Sequence, residues 1–305
     1  MALDGPFTYV GFGFGAIQSG LLLHEAYRSG SYRRLVIGEV VPAVVDDLRR
    51  AGGRFTVNIA HPDRVERAEA GPVEIVNPAA EKDRETLIEA IAEAEAIGTA
   101  VPSVTFYATD GPGSLHRVLA EGLRRKASRQ GPRAVVYTAE NHNHAAEVLE
   151  EKLREVIPAA EREAVFARVR ILNTVIGKMS GIVPDAASLQ AWGLAPVTPG
   201  NARAFLVEAF NRILITKIRF DGPPFKRGIG VFEEKDDLLP FEEAKLYGHN
   251  ATHALAAYVG AIRGVAQIAD LRDLPGVMAF LRAAFLEESG AALIRKHEGI
   301  DPLFT

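Results

Sequence analysis

The segment K-L-Y-G-H-N-A-T-H at residues 245–253 holds three side chains that together could remove a proton. Lys245, Asn250 and His253 lie on one predicted helix. With about 3.6 residues per turn, Lys245 and Asn250 would lie roughly 140° apart around it, with His253 between them. A neutral lysine can take the proton of an alcohol, while amide and imidazole donors hold the oxygen that becomes charged. The segment therefore predicts acid–base chemistry at a carbon that bears a hydroxyl.

The structural alternative is that Lys245 is an ordinary solvated lysine. Against it, the helix continues as A-L-A-A-Y-V-G-A-I, and polar side chains on a buried helix need a reason. Pro240 suits the first helical position, so Lys245 would lie in an early turn. Burial, the positive end of the helix and the nearby histidine would all lower the lysine pKa, as a base requires. Glu242 and Glu243 could gate proton release, although a first helical turn favours acidic residues anyway.

A second motif, G-F-G-F-G-A-I-Q-S-G at residues 11–20, follows a predicted strand and opens a predicted helix. Two registers fit a dinucleotide fingerprint, one beginning at Gly11 and the other at Gly13. In either register glycine lets the backbone approach a pyrophosphate, and the helix start supplies amide donors. Glu39 stands about 20 positions further on, at the end of the second predicted strand, where a carboxylate binds ribose hydroxyls and repels a 2′-phosphate. This predicts NAD rather than NADP, with a plain surface glutamate as the alternative.

The composition limits the class of protein. A chain of 305 residues is long enough for two domains, and its 24% of charged residues is typical of globular proteins. The formal charge of −4 gives no general attraction to nucleic acid or to anionic membranes. The absence of cysteine excludes disulfides and thiolate metal sites. Neither a membrane-spanning run nor a signal pattern is evident, so we expect a cytoplasmic protein.

Strands and helices alternate through the first half of the chain. The predicted strands are residues 7–12, 34–37, 54–59, 73–76, 96–101 and 134–138, and the predicted helices are 16–29, 42–51, 84–95 and 115–128. This order indicates an α/β fold with a Rossmann-type doubly wound parallel sheet. Beyond Pro184 helices dominate, apart from a predicted hairpin at 216–231. We therefore expect an NAD-binding domain at 1–184 and a mainly α-helical substrate and catalytic domain at 185–305.

Taken together, these motifs resemble the polyol-specific long-chain dehydrogenase/reductase family, and within it the mannitol-1-phosphate 5-dehydrogenases. The resemblance runs through the glycine turn, G-E-V at 38–40, T-A-V-P at 99–102, A-E-N at 139–141, K-L-x-x-x-N-x-x-H at 245–253 and E-E-S-G-A at 287–291. It covers nearly the whole chain. It implies an NAD-dependent, metal-independent oxidoreductase that interconverts mannitol 1-phosphate and fructose 6-phosphate by hydride transfer.

The resemblance also implies roles for individual residues. Lys245 would be the general base, Asn250 and Asn141 the oxyanion donors, and His253 an orienting partner. It favours the glycine register that begins at Gly13. The cofactor would contact Gly13, Gly15, Ala16, Ile17, Gln18, Glu39, Ala100, Val101 and Glu140.

Two of these neighbourhoods have structural alternatives. Asn141 lies just beyond a predicted strand, where open α/β sheets bind ligands, but it could instead cap the helix that begins at Ala145. His142 and His144 beside it could suggest a metal site, although two histidines without a carboxylate partner are weak evidence. We therefore expect no metal.

The chain departs from the family pattern in three places. Lys178 stands where relatives carry arginine; it could contact the substrate or its phosphate, but without arginine's bidentate grip. Residues 104–112 resemble an insertion. The sequence stops at Thr305, whereas relatives continue with further helices and a basic segment, so we expect weak phosphate recognition.

These departures keep other functions open. One is a dehydrogenase for an unphosphorylated polyol or a sugar acid, and another is a non-catalytic NAD-binding relative. The intact Lys245, Asn250 and His253 favour an enzyme. The expected partner is a small polyol or sugar phosphate, with no nucleic acid and no membrane. The oligomeric state stays open.

Overall fold

The computed structural model describes residues 5–209, 212–302 and 304. The chain divides into two compact units, Met1–Asp236 and Asp237–Thr305. The strands of the first unit are β1 Phe7–Phe12, β2 Tyr32–Gly38, β3 Phe55–Ala60, β4 Val65–Ala70, β5 Glu74–Val76, β6 Ala96–Thr99, β7 Ala134–Thr138, β8 Val169–Ile176, β9 Ser180–Val183, β10 Ala204–Glu208, β11 Ile213–Thr216 and β12 Phe232–Lys235. Its helices are α1 His24–Arg28, α2 Pro42–Arg50, α3 Glu81–Glu93, α4 Leu115–Ser128, α5 Ala145–Val156, α6 Ala159–Arg168 and α7 Ala186–Ala191.

The larger sheet has eight strands in the order β12-β11-β8-β7-β6-β1-β2-β5. The six strands from β5 to β8 in this order pair with one another only in parallel. Numbered among themselves, they follow the dinucleotide-binding order 3-2-1-4-5-6. The prediction of a Rossmann-type doubly wound parallel sheet is therefore confirmed. The carboxyl ends of β1, β2, β6 and β7 lie side by side at one edge.

The sheet is covered on both faces because its strands carry apolar residues on both sides. Neighbouring residues of β1 point in opposite directions, so Tyr9 packs in one core and Val10 in the other. Strand β7 is buried along its full length, as parallel strands between two helical layers are. Leu119 and Leu123, one helical turn apart on α4, pack in the same core as Val10. The alternating directions of the strand side chains and the helical spacing of apolar residues in α4 thus place one apolar core on each face of the sheet.

A smaller sheet has the order β4-β3-β10-β9. Strand β10 pairs in parallel with β3 and antiparallel with β9. A π-helical segment, Gln18–Leu23, packs against it: a Cβ added to Gly20 would lie 2.5 Å from Val207 Cγ1. Strands β10 to β12 follow Pro184 and still belong to the first unit. The boundary predicted at 184 therefore does not coincide with the division in the structure, because long-range strand pairing draws this segment back.

The predicted hairpin at 216–231 is wrong. Strands β11 and β12 pair in parallel, with Ile213 opposite Phe232. A parallel pair needs a crossover of about a dozen residues or more, and residues 217–231 provide it. Gly222 does turn the chain, with φ of 85°. The residues around Gly222 therefore form a turn within a crossover connection, and the strands on either side of it run in the same direction.

The second unit is helical. It contains α8 Leu239–Glu243, a π-helical segment Ala244–Asn250, α9 Ala251–Ile262, a 3₁₀ segment Ile268–Asp273, α10 Val277–Ala283, a second π-helical segment Ala284–Gly290 and α11 Ala291–Lys296. The two π-helical segments pack closely: a Cβ added to Gly248 would lie 3.1 Å from the Phe285 ring. Among the described residues, none of the helices has the length and apolar character needed to cross a membrane.

One buried cation in the first unit gives a stability prediction. Lys126 of α4 is 1% exposed, and its ammonium donates to the carbonyl oxygens of Ala92 at 3.0 Å and Ala94 at 2.5 Å. Burial lowers the pKa of Lys126 to about 7. Between that pH and the ordinary lysine pKa of about 10.4, the unfolded chain binds more protons than the folded one. The stability contributed by this group therefore rises with pH over that window.

We expect Lys126→Met to remove this rise. Relative to the variant, the free energy of unfolding of the unmodified protein should increase by on the order of 1 kcal/mol per pH unit between pH 8 and 9.5. Urea unfolding at several pH values measures it. Lys82→Met, at an exposed position of α3, should leave the pH dependence unchanged. Parallel curves for the unmodified protein and Lys126→Met would contradict the assignment.

Candidate functional site

A cleft of about 740 Å³ opens at the carboxyl ends of β1, β2, β6 and β7. This is where open α/β sheets bind their ligands. Nine of the residues singled out in the sequence line it, namely Gly13, Gly15, Ala16, Ile17, Glu39, Ala100, Val101, Glu140 and Asn141. Residues far apart in the chain thus converge on one concave surface of the first unit.

The glycine turn has the geometry of a phosphate-binding turn. Gly13 has φ of 84°, and a Cβ there would lie 2.8 Å from the carbonyl oxygen of Ala100. A Cβ on Gly15 would meet nothing within 4 Å. In the dinucleotide fingerprint the first glycine makes the tight turn and the second lets phosphate approach. Gly13 and Gly15 match these two positions, so the geometry favours the register that begins at Gly13.

Gln18 occupies the third position of that register, but it lies beneath the cleft. Its side chain is fully buried, and its amide nitrogen donates to Tyr9 Oη at 2.7 Å. A Cβ on Gly11 would lie only 1.9 Å from that nitrogen. The third glycine of the fingerprint normally allows the helix to pack closely on the strand. Here Gly11 of β1 makes that room, and the prediction that Gln18 contacts the cofactor does not hold.

Glu39 connects the end of β2 to the glycine turn. Its Oε2 accepts from the backbone nitrogen of Phe14 at 2.8 Å, and its Oε1 accepts from that of Val41 at 2.8 Å. The side chain is buried, so the alternative of a plain surface glutamate is excluded. A carboxylate has about four lone-pair sites, which leaves room for further donors from the cleft. Glu39 therefore fixes the turn and still presents acceptor capacity to it.

Glu140 does the same for the next pair of strands. It follows β7 and accepts from Val101 N at 2.9 Å, from Thr99 Oγ1 at 2.9 Å and from Tyr107 Oη. Burial raises the pKa of Glu140. Tyr107 lies in a 3₁₀ turn, Val104–Tyr107, within the segment that resembled an insertion. The segment thus supplies a buried hydroxyl that holds Glu140 beside the cleft. No motif in the sequence predicted this role.

The capping alternative for Asn141 is not what the structure shows. Helix α5 has His144 at its N-cap without a side-chain cap bond, and Ala146 N donates to Oδ1 of Asn173 at 2.8 Å. Asn173 of β8 therefore satisfies the helix start, and Asn141 lines the cleft. Its role as an oxyanion donor stays a prediction. In the described ranges, no three His, Asp or Glu side chains are arranged to hold a metal ion, the His142–His144 pair included.

The substrate contact predicted for Lys178 stays a prediction. The residue is buried, and it is not among the residues that line the cleft. Burial lowers its pKa, while the charges of Glu25 and Glu208 oppose that effect. Lys178 therefore lies close enough to Glu25 and Glu208 for their charges to act on it.

The remaining predicted residues lie in the second unit. Lys245 and Asn250 fall within the π-helical segment, and His253 lies on α9. In a π-helix each hydrogen bond spans five residues, so each turn holds more residues than a turn of α-helix. Two residues five apart, such as Lys245 and Asn250, therefore lie closer to the same side of the helix than they would in an α-helix. Lys245 is partly buried, and this burial lowers its pKa. His253 is exposed, with its ring centroid 4.4 Å from that of His249.

Glu243 is engaged structurally. Its carboxylate accepts from Lys296 Nζ at 2.8 Å and from His297 Nε2 at 2.7 Å. Both contacts lower the pKa of Glu243. The pair of residues lies at and just after the end of α11, so these bonds tie α8 to α11 immediately before Lys245. They favour anchoring of the helix over gating of a proton.

Comparison with known proteins gives the family. A family model described as the mannitol dehydrogenase Rossmann domain matches residues 8–225. The chain belongs to the mannitol dehydrogenase family. The predicted resemblance to polyol dehydrogenases is thereby confirmed. The curated relatives of this family include mannitol-1-phosphate 5-dehydrogenases from Bacillus licheniformis, 28% identical over 94% of this chain, and from Bacillus pumilus, 30% identical over 93%.

Solved structures in the family's fold agree. A Pseudomonas fluorescens mannitol 2-dehydrogenase, in a ternary complex with NAD and D-mannitol, superposes with a TM-score of 0.73 at 17% identity over 93% of this chain. A D-sorbitol dehydrogenase in substrate-free form gives 0.75 at 13% over 92%. These likenesses show the shared fold. The chain spans 68% of the length of each of the two Bacillus relatives and 64% and 65% of the two solved chains.

The packing of the Gln18 side chain against Gly11 gives a prediction. We expect Gly11→Ala to lower the free energy of unfolding by about 1–3 kcal/mol, the usual cost of overpacking a core, because its Cβ overlaps buried atoms. Gly15→Ala, the matched control in the same motif, faces open space and should stay within about 0.5 kcal/mol. Urea unfolding of both variants measures the difference. Equal destabilisation would show that the turn itself, and not the Gln18 packing, demands glycine.

Proposed function

We propose that the chain is an NAD-dependent oxidoreductase that interconverts mannitol 1-phosphate and fructose 6-phosphate by hydride transfer. The observation that carries the proposal is the cleft in which the glycine turn and the Glu39 carboxylate meet at the carboxyl edge of a parallel sheet. Family membership supports the dehydrogenase class. The names of the curated relatives support the substrate pair.

The residues present fit a dinucleotide. The open space at Gly15 admits a phosphate, and the first amides of the helix that follows lack intrahelical partners. The spare lone pairs of Glu39 suit ribose hydroxyls, whereas a 2′-phosphate would meet a like charge. We therefore propose NAD over NADP. When bound, NAD would accept the hydride from the alcohol carbon.

Lys245 is the proposed general base. In the oxidation direction its neutral amine takes the hydroxyl proton of the alcohol. The carbon–hydrogen bond breaks, the hydrogen departs as hydride for the nicotinamide that would be bound, and the carbon–oxygen double bond forms. Burial favours the neutral amine that this step needs. Asn250 and Asn141 are the proposed donors to the developing oxyanion, and His253 the proposed orienting partner. The amine removes the proton by itself, so the proposal invokes no metal ion.

We expect Lys245→Ala to lower kcat for polyol oxidation by about a hundredfold or more, the usual share of a general base. The Kd for NADH, measured by fluorescence titration, should stay unchanged, because the proposed cofactor residues all belong to the first unit. Because burial lowers the lysine pKa, kcat/KM of the unmodified protein should rise with pH and level off below the ordinary pKa of about 10.4. Lys82→Ala is the control. Near-normal turnover in Lys245→Ala would place the base elsewhere.

A second candidate is oxidation of an unphosphorylated polyol. The burial of Lys178 favours it, because the sequence predicts a contact of this residue with the substrate or its phosphate. A phosphate monoester carries about 1.5–2 negative charges near pH 7, which a phosphorylated substrate would need neutralised.

A panel of ketoses followed by NADH absorbance separates the two candidates. If the leading proposal holds, fructose 6-phosphate should give a kcat/KM at least about tenfold above that of fructose, since one charge-assisted contact to phosphate contributes about that factor. Lys178→Met should leave this ratio unchanged, because the side chain is buried. If fructose or a hexuronate is turned over faster than fructose 6-phosphate, the assignment of mannitol 1-phosphate as substrate is wrong, while the assignment as a dehydrogenase stands.

A further inference from the structure

Arg203 is the only cationic side chain lining the cleft in the part of the chain that the structure describes. The charged residues that share the lining with it are Glu39 and Glu140, both acidic. The guanidinium of Arg203 is exposed, and within the described residues it makes no hydrogen bond or ion pair. Arg203 belongs to none of the sequence motifs, so the sequence did not predict that it lines the cleft.

The backbone of Arg203 is hydrogen-bonded on both sides, whereas its side chain is exposed. Its carbonyl accepts from Val197 N at 2.9 Å, and its own amide donates to Asn201 Oδ1 at 2.8 Å. Asn201 in turn donates to Asp47 Oδ2 of α2 at 3.0 Å. The loop before β10 is therefore fastened to the helix that follows Glu39. This attachment keeps Arg203 at the cleft and keeps the Asp47 carboxylate occupied.

The neighbours of Arg203 place it beside the glycine turn. Phe14, Val44 and Ile182 line the same hollow as Arg203, directly next to the cleft. Phe14 also packs edge-on against Phe205, two residues beyond Arg203, with ring centroids 5.6 Å apart. Phe14 lies between Gly13 and Gly15, so Arg203 lies next to the turn.

A dinucleotide brings more negative charge to this turn than the turn itself can balance. The backbone amide of Gly13 already donates to the Gly38 carbonyl at 2.8 Å, and that of Phe14 donates to Glu39. A helix start contributes about half a positive charge, against two negative charges on a pyrophosphate. An arginine presents a fork that matches phosphate oxygens.

We propose that Arg203, in the loop before β10 of the smaller sheet, binds phosphate oxygens of the dinucleotide. It would be a cofactor-binding residue outside the glycine motif. The inference rests on the proposed function, since it assumes that the cleft holds a dinucleotide. The phosphate is either the pyrophosphate, shared by NADH and NADPH, or the 2′-phosphate that only NADPH carries. The shared chemistry is a guanidinium on phosphate oxygens.

Fluorescence titration of the purified chain with NADH and NADPH tests the proposal, with adenosine as a phosphate-free competitor. We expect Arg203→Ala to raise the Kd for NADH about tenfold or more, and Arg203→Lys to raise it less, because it keeps the charge and loses the fork. The Kd for adenosine should not change. Loss of the cation should also weaken the salt dependence of NADH binding. Arg64→Ala, an exposed arginine paired with the adjacent Asp63, is the matched control.

The outcomes separate the sources. Equal losses for NADH and NADPH assign the pyrophosphate, and a loss confined to NADPH assigns the 2′-phosphate. Unchanged affinity for both in Arg203→Ala, with the unmodified chain binding normally, overturns the inference and leaves the proposed function intact. A loss that extends to adenosine shows collapse of the loop and overturns it as well. If the unmodified chain binds neither dinucleotide, both proposals fail.

Discussion

Two buried carboxylates hold the edge of the sheet on which the cleft is built. Glu39, after β2, accepts the amide of Phe14 in the loop after β1, and Glu140, after β7, accepts the amide of Val101 in the loop after β6. Each bond crosses between neighbouring parallel strands, and charge-assisted bonds of this kind are stronger than neutral ones. The loops are therefore ordered by the protein itself, which lowers the conformational cost of binding a ligand there.

The smaller sheet supports the same turn from the other side. Phe14 packs between Phe55 of β3 and Phe205 of β10, with centroid distances of 5.2 and 5.6 Å. Gly20 brings the following helix against β10, and Gly11 makes room for Gln18 beneath it. The start of the helix that follows the glycine turn is thus packed between β1 of the larger sheet and β10 of the smaller sheet, and we call this arrangement the clamp. This clamp explains how a glutamine is tolerated where the fingerprint has glycine, and it brings Arg203 within the cleft lining.

In the second unit, helix geometry and burial act together on one lysine. The π-helical segment Ala244–Asn250 is stabilised by close packing at Gly248, and the ion pairs of Glu243 anchor its start. π-helical turns cost regular hydrogen bonding and occur frequently at functional sites. Burial lowers the pKa of Lys245 in this segment. The surrounding helices thus hold Lys245 in place and shift its protonation equilibrium toward the neutral amine, in the direction that the proposed role of general base needs.

Local sequence determined the Rossmann-type elements: α4 and β7 begin and end at the predicted residues, and spacing in the sequence identifies the glycine turn and Glu39. Such signals act over a few residues, through helical period, strand alternation and turn chemistry. The parallel direction of β12, the burial of Gln18 and Lys178, and the place of Arg203 were decided by tertiary structure. Each depends on partners that only folding brings together, and no period or turn in the sequence records which distant strand a segment will pair with.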